Sequence, residues 1–150
     1  MNILVSYNQI CVFDSNLDEP FNDWSDNHVK QGFSWREGSV SFGAVENDDT
    51  DLEVVVSSLN PAIDSASFRA LAVPFVVPES GMITVGSIGD EHDVEIPAGV
   101  YKLIYELGRK KGQPWCRLTF CVASDPVPEI ILADEEISDC IEFDMKAHPA

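Results

Sequence analysis

The sequence predicts an all-β protein: an antiparallel β-sandwich of two sheets with one short helical turn. Three observations lead there. Short runs rich in Val, Ile, Phe and Tyr recur between clusters of Gly, Pro, Asn and Asp. Several of these runs alternate apolar and polar residues with a period of two. Turn signals fall roughly every 8 to 12 residues, the spacing of a sandwich or barrel.

Taken in order, strands are expected over 3–7, 10–13 and 40–45, the last placing Val40, Phe42 and Ala44 on one face. A dense apolar run at 52–59 follows. Residues 68–77 alternate well, with Leu71, Val73, Phe75 and Val77 on one side. Pro74 lies inside that run and has no N–H, so the strand should be an edge or carry a bulge. Another strand fits 82–88. The clearest supersecondary unit pairs 100–107 with 115–122 as a hairpin, joined by a long charged connection, Gly108-Arg-Lys-Lys-Gly-Gln-Pro114. A last strand fits 129–133. The helical turn is expected over 23–32, with Asp23 or Ser25 as N-cap and Gly32 ending it in the left-handed conformation. Residues 1–150 read as a single domain whose acidic tail, 134–150, is flexible or partly ordered at best.

A chain of 150 residues with 45% hydrophobic residues is able to build an ordinary core. Its charge is unusual. Twenty-six Asp and Glu against nine Lys and Arg give a formal net charge of −17. Such a protein repels nucleic acid, whose binding requires cations to displace phosphate counterions, and it repels anionic membranes. It attracts cationic partners and speeds their arrival, although acidity alone also serves solubility. The N-terminus has no basic start or long apolar run, so no signal peptide, no membrane insertion and a cytoplasmic location are expected. Cys11, Cys116, Cys121 and Cys140 form no Cys-x-x-Cys pair, and they are expected as reduced, mostly buried thiols.

The residues of catalysis are sparse. Of the three histidines, His28 falls in the helical turn and His148 in the tail. His92 lies among carboxylates in Asp90-Glu-His-Asp-Val-Glu95, read as a solvated loop rather than a metal site. Gly38-Ser-Val-Ser-Phe-Gly43 misses the spacing of a nucleophile elbow and has no helix after it. Glu46-Asn-Asp-Asp-Thr-Asp-Leu-Glu53 lacks the central Gly and the twelfth-position Glu of an EF-hand. No enzyme, metal or cofactor is therefore expected. The carboxylates gather in patches at 14–26, 46–53, 90–95 and 134–144, the last three assigned to loops or strand ends. Sandwich loops cluster at two ends, so patches can converge into one negative surface. Trp24, Trp35 and Trp115 are read chiefly as core or semi-core residues.

Several motifs occur in a familiar order: Val5-Ser-Tyr-Asn-Gln9 with Val12-Phe13, Asp23-Trp24-Ser25-Asp26, Gly32-Phe33, Gly38-Ser-Val-Ser-Phe42, Val73-Pro-Phe75, Glu79-Ser-Gly81 and Ile96-Pro-Ala-Gly-Val-Tyr-Lys-Leu103. In these the chain resembles the competence protein J family, the DNA-entry nuclease inhibitors of bacilli, from about Leu4 to Leu107. The match is poor from Gly108 onward. The resemblance implies a non-catalytic protein that binds and blocks a bacterial DNA-degrading nuclease. It assigns no inhibitory residues.

Charge suggests where such a partner would dock. A nonspecific nuclease grips phosphates with a basic cleft, and clustered carboxylates can occupy that cleft instead. Asp48, Asp49, Asp51, Asp90, Glu91 and Asp93 are the candidate partner-binding carboxylates, with Trp35 as a buried anchor. The expected partner is thus a basic protein, a nuclease, with no direct binding of nucleic acid. The sequence does not set the oligomeric state. The alternatives are an immunity or antitoxin-type protein against a non-nuclease partner, and a calcium- or carbohydrate-binding β-sandwich.

Overall fold

Apolar side chains at every second position give each strand one face to bury, and two stacked sheets bury them against each other. The computed structural model describes residues 1–138 and 142–150. Its elements are β1 (Asn2–Leu4), β2 (Gln9–Asp14), α1 (Asp26–Gln31), β3 (Phe33–Arg36), β4 (Ser39–Gly43) and β5 (Asp49–Ser57), followed by β6 (Ser67–Val77), β7 (Met82–Ser87), β8 (Asp90–Glu95), β9 (Gly99–Lys110), β10 (Gln113–Val122) and β11 (Glu129–Leu132). One sheet has six strands in the order β1-β5-β10-β9-β6-β11, and the other has five in the order β3-β4-β2-β7-β8. Among the described residues no helix is long and apolar enough to cross a membrane.

The all-β expectation holds, with two differences in pairing. The five-stranded sheet is antiparallel throughout. In the six-stranded sheet β5 runs parallel to β10, from Asp51↔Trp115 to Ser57↔Cys121. This also makes β5 parallel to β6, with β10 and β9 between them, which demands a crossover; residues 58–66 make it by passing over the outer face of β10 and β9. Asp64 N donates to Glu106 Oε1 (2.7 Å), and Lys110 Nζ meets Asp64 Oδ2 (2.8 Å). That cover explains why Trp115, Glu106 and Ile104, which point away from the sandwich core, are buried. Arg117 Nε donates to Glu106 Oε2 (2.7 Å), so the buried carboxylate has its counter-charge.

The β9–β10 hairpin is tighter than expected. Gly108 and Pro114 both lie within paired strand, and the turn is Lys111-Gly112, with φ of 52° and 75°. Two successive left-handed residues make the turn whose twist suits a two-residue hairpin. A Cβ on Gly108 would lie 2.1 Å from the Ala66 carbonyl, so this glycine serves the crossover and not a loop.

Between the sheets the core centres on Phe42 of β4 stacked on Tyr105 of β9, ring centroids 4.6 Å apart. Phe120 is met edge-on by Phe75 and Tyr101. Cys11, Cys116 and Cys121 are buried free thiols, and Cys140 lies outside the described residues. Pro74 pairs with Lys102 of β9, beyond the end of the short β11, which reaches only Ala70 to Ala72. It thus occupies the part of β6 that is an edge, as its missing donor requires.

The helical turn is closed by a capping box in which histidine takes the place of Glu or Gln. Ser25 Oγ accepts from His28 N (3.2 Å), and His28 Nδ1 accepts from Ser25 N (3.0 Å). Gly32 ends it at φ 87°. The segment after β11, expected as a loose acidic tail, packs along α1 and β3 in its described residues. Ile137 is buried against Leu71 and Gly32, and Phe143 lies against Phe33. Gln31 exchanges two 2.9 Å hydrogen bonds with the Asp144 backbone, and Ala147 N donates to Trp35 O (3.0 Å). Apolar anchors spaced among the acidic residues give this segment its docking energy.

Candidate functional site

The six candidate carboxylates sit around β1, the outermost strand of the six-stranded sheet. Its neighbour β5 carries Asp49 and Asp51, which pair with Leu4 and Asn2. Asp48 precedes β5, and its carbonyl accepts from Val5 N (3.1 Å). On the other side of β1 lies β8, the edge strand of the second sheet, where the sequence was expected to form a solvated loop. Asp90, His92 and Val94 of β8 are half-buried, while Glu91, Asp93 and Glu95 are exposed, the alternation of a strand.

Leu4 joins the two patches. Its N–H donates to Asp90 Oδ2 (2.8 Å) while its Cα is paired with that of Asp49. This N–H, reinforced by a hydrogen bond from His92 Nε2 (2.8 Å), holds the Asp90 carboxyl below the ordinary carboxylate range. Asp48, Asp49 and Asp90 therefore gather at one edge of the sandwich. Asp51 points out from the same face as Asp49, one step further along β5, while Glu91 and Asp93 point out from the other sheet. Asp93 Oδ1 also accepts from Thr84 Oγ1 (2.8 Å). A partner touching all six must straddle β1. The stretch read against an EF-hand loop is extended strand from Asp49, which sets Asp49, Asp51 and Glu53 in a row along one face instead of wrapping them around an ion.

Trp35 is not part of this edge. It lies on β3, at the far side of the five-stranded sheet from β8, and its Nε1 donates across the sandwich to Pro74 O (2.8 Å). The aromatic residues near the carboxylates are Tyr7 and Trp24, which charge reasoning did not select. Tyr7 and Asn8 form the turn between β1 and β2, with φ of 55° and 52°. Asn8 N donates to Asn47 Oδ1 (2.7 Å), tying this turn to the loop that carries Asp48.

Tyr7, Gln9, Trp24, Val29, Arg69 and Glu136 surround a half-open cleft of about 380 Å³. Trp24 Nε1 approaches Gln9 Oε1 at 3.4 Å. At the base, the buried Arg69 donates from Nη1 to Gly43 O (2.8 Å) and from Nη2 to Asp134 Oδ2 (2.8 Å) and Glu136 Oε2 (3.1 Å). Tyr105 Oη donates to the same Gly43 carbonyl (3.1 Å), and burial pushes its hydroxyl pKa well up. Tyr7, Asn8, Gln9, Trp24 and Gly32, from three separate motifs in the sequence, meet at this one cleft. Those motifs were the available signal.

The family model of competence protein J (ComJ) matches residues 2–121. The chain belongs to the competence protein J family. A relative, the DNA-entry nuclease inhibitor of Bacillus subtilis (strain 168), is 28% identical over 100 residues, covering 66% of this chain and 74% of the relative. The crystal structure of ComJ from Bacillus subtilis, an inhibitor of the DNA degrading activity of NucA, superposes with a TM-score of 0.73. It covers 82% of this chain and 94% of that one at 21% identity, so the two share the ComJ fold. Both acidic strands and the Tyr7–Trp24 side of the cleft lie within the ComJ match. Asp134 and Glu136 lie beyond it, in the C-terminal segment that forms the carboxylate wall of the cleft.

Proposed function

We propose that this ComJ-family chain is a non-catalytic inhibitor that binds a bacterial DNA-degrading nuclease and keeps DNA out of its basic cleft. Membership of a family that includes a DNA-entry nuclease inhibitor carries the reading. The net charge of −17 supports it, because an active site built for phosphates is cationic and draws in such a protein. Asp48, Asp49 and Asp90, gathered at the β1 edge, form the centre of the docking surface. Asp51, Glu91 and Asp93 flank it. The surface replaces DNA phosphates with carboxylates held on strands, so little ordering is lost on contact.

The test is cleavage of a fluorogenic DNA duplex by the DNA-entry nuclease of the same bacterium, with and without the purified chain. Loss of cleavage at near-stoichiometric concentrations is expected. Undiminished cleavage at a large excess of the chain would falsify the reading.

A further inference from the structure

We propose that the cleft between Tyr7 and Trp24 receives a lysine or arginine side chain of the protein partner. It would act as a second contact beside the acidic edge; this rests on the inhibitor reading above. The argument begins with Tyr7. A non-glycine residue at φ 55° is strained, and a tyrosine lacks the local hydrogen bonding that makes Asn tolerable there. Yet its side chain is 73% exposed, so the ring adds little burial to the fold. Trp24 stands across the cleft, with Val29, 60% exposed, beside it. Large aromatic residues at a concave surface are the usual anchors of protein recognition.

Charge selects the occupant. Arg69 offers an anion little, since its side chain is 3% exposed, its Nη1 and Nη2 already donate to Gly43 O, Asp134 and Glu136, and its unpartnered Nε is buried. Two carboxylates against one guanidinium leave the base of the cleft net negative. Glu136 remains 59% exposed, so it can also meet a group arriving from outside. Aromatic faces with a carboxylate behind them suit a long cationic side chain, whose stem packs on the rings and whose head meets the charge. Through Asn8 and Asn47 the cleft is continuous with the Asp48 end of the acidic edge. A basic protein lying along β1 therefore reaches both.

The experiment measures binding of the same bacterium's DNA-entry nuclease to the wild-type chain, Tyr7→Asn, Glu136→Gln and Glu136→Lys. Asn keeps the left-handed turn and removes the ring. Tyr7→Asn and Glu136→Gln should each weaken binding at least tenfold, mainly through faster dissociation, with thermal unfolding little changed. Glu136→Lys should weaken it further. Trp24 fluorescence supplies a second readout: complex formation should shift the emission of the wild-type chain and not that of Trp24→Phe. If the wild-type chain inhibits and these variants bind as tightly as it does, the cleft is not a contact, and the inhibitor reading stands. If Glu136→Lys binds no worse than Glu136→Gln, the occupant is not cationic. If the wild-type chain neither binds nor inhibits the nuclease, both readings fall.

Discussion

The Leu4 amide donates to the Asp90 carboxylate at 2.8 Å, joining the outermost strand of one sheet to the outermost strand of the other. Nearby, Ser87 Oγ accepts from Ser6 N (2.9 Å) and donates to Gln9 O (2.8 Å), so the sandwich is stitched along this side. The edge assigned to the partner is thus held by one of the acids that form it.

Asp90→Ala should lower stability by about 1 kcal/mol at pH 7, because the exposed Leu4 amide exchanges a charged acceptor for water. The folded-state pKa of Asp90 lies below its unfolded value, so its contribution is present above about pH 4 and is lost as pH falls through the folded pKa. Urea unfolding at pH 7 and near pH 2 should show the difference between wild type and variant closing in acid. A difference of equal size at both pH values would rule out the ionised carboxylate as its source.

Glu106→Ala should be among the most destabilising single changes, by about 3 kcal/mol or more. It strands Arg117 and removes the acceptor for Asp64 N and Ser67 Oγ. Chemical denaturation measures the loss. Hydrogen exchange should show amides near Asp64 losing protection before those of the core strands.

Neutralising Asp48, Asp49, Glu91 and Asp93 together as Asn or Gln should slow association with the nuclease at low salt. Dissociation should change little, since exposed charges act mainly on encounter. Stopped-flow mixing at several ionic strengths separates the two rates. An association rate independent of salt in the wild type would remove the carboxylate surface from the mechanism.

Burial pushes the Cys11 thiol pKa up to about 11 and that of Cys116 higher still. Iodoacetamide at pH 8 should leave both unmodified in the native protein and modify both in denaturant, as mapped by mass spectrometry. Native labelling of either would mean that the packing around that thiol opens readily.

Much of the fold is legible in the sequence wherever one face of a strand is apolar. Leu71, Val73, Phe75 and Val77 identify β6, and Tyr101, Leu103, Tyr105 and Leu107 identify β9. The misses share a cause. In β8 the inward positions are held by Asp90 and His92, whose polar groups bond to Leu4 and to each other, so no hydrophobic alternation marks the strand. Gly108 and Pro114 look like loop residues, yet one makes room for the crossover and the other pairs with Arg109. The parallel pairing of β5 with β10 leaves no local trace at all. For the site, composition gave the sign of the charge. Only the fold could show that Asp49 and Asp90 share Leu4, that Trp35 is at the far side, and that Tyr7 and Trp24 face one cleft.

The parallel β5–β10 ladder also has a consequence during synthesis. Each residue of β5 waits for a neighbour about 64 positions downstream. At roughly 5–20 residues per second, a ribosome needs several seconds to deliver it. During that interval Val54, Val55 and Val56 have an unsatisfied strand edge, a template for pairing with the wrong chain. Yield of the soluble protein should therefore depend on translation speed and on chaperones far more than its finished stability would suggest.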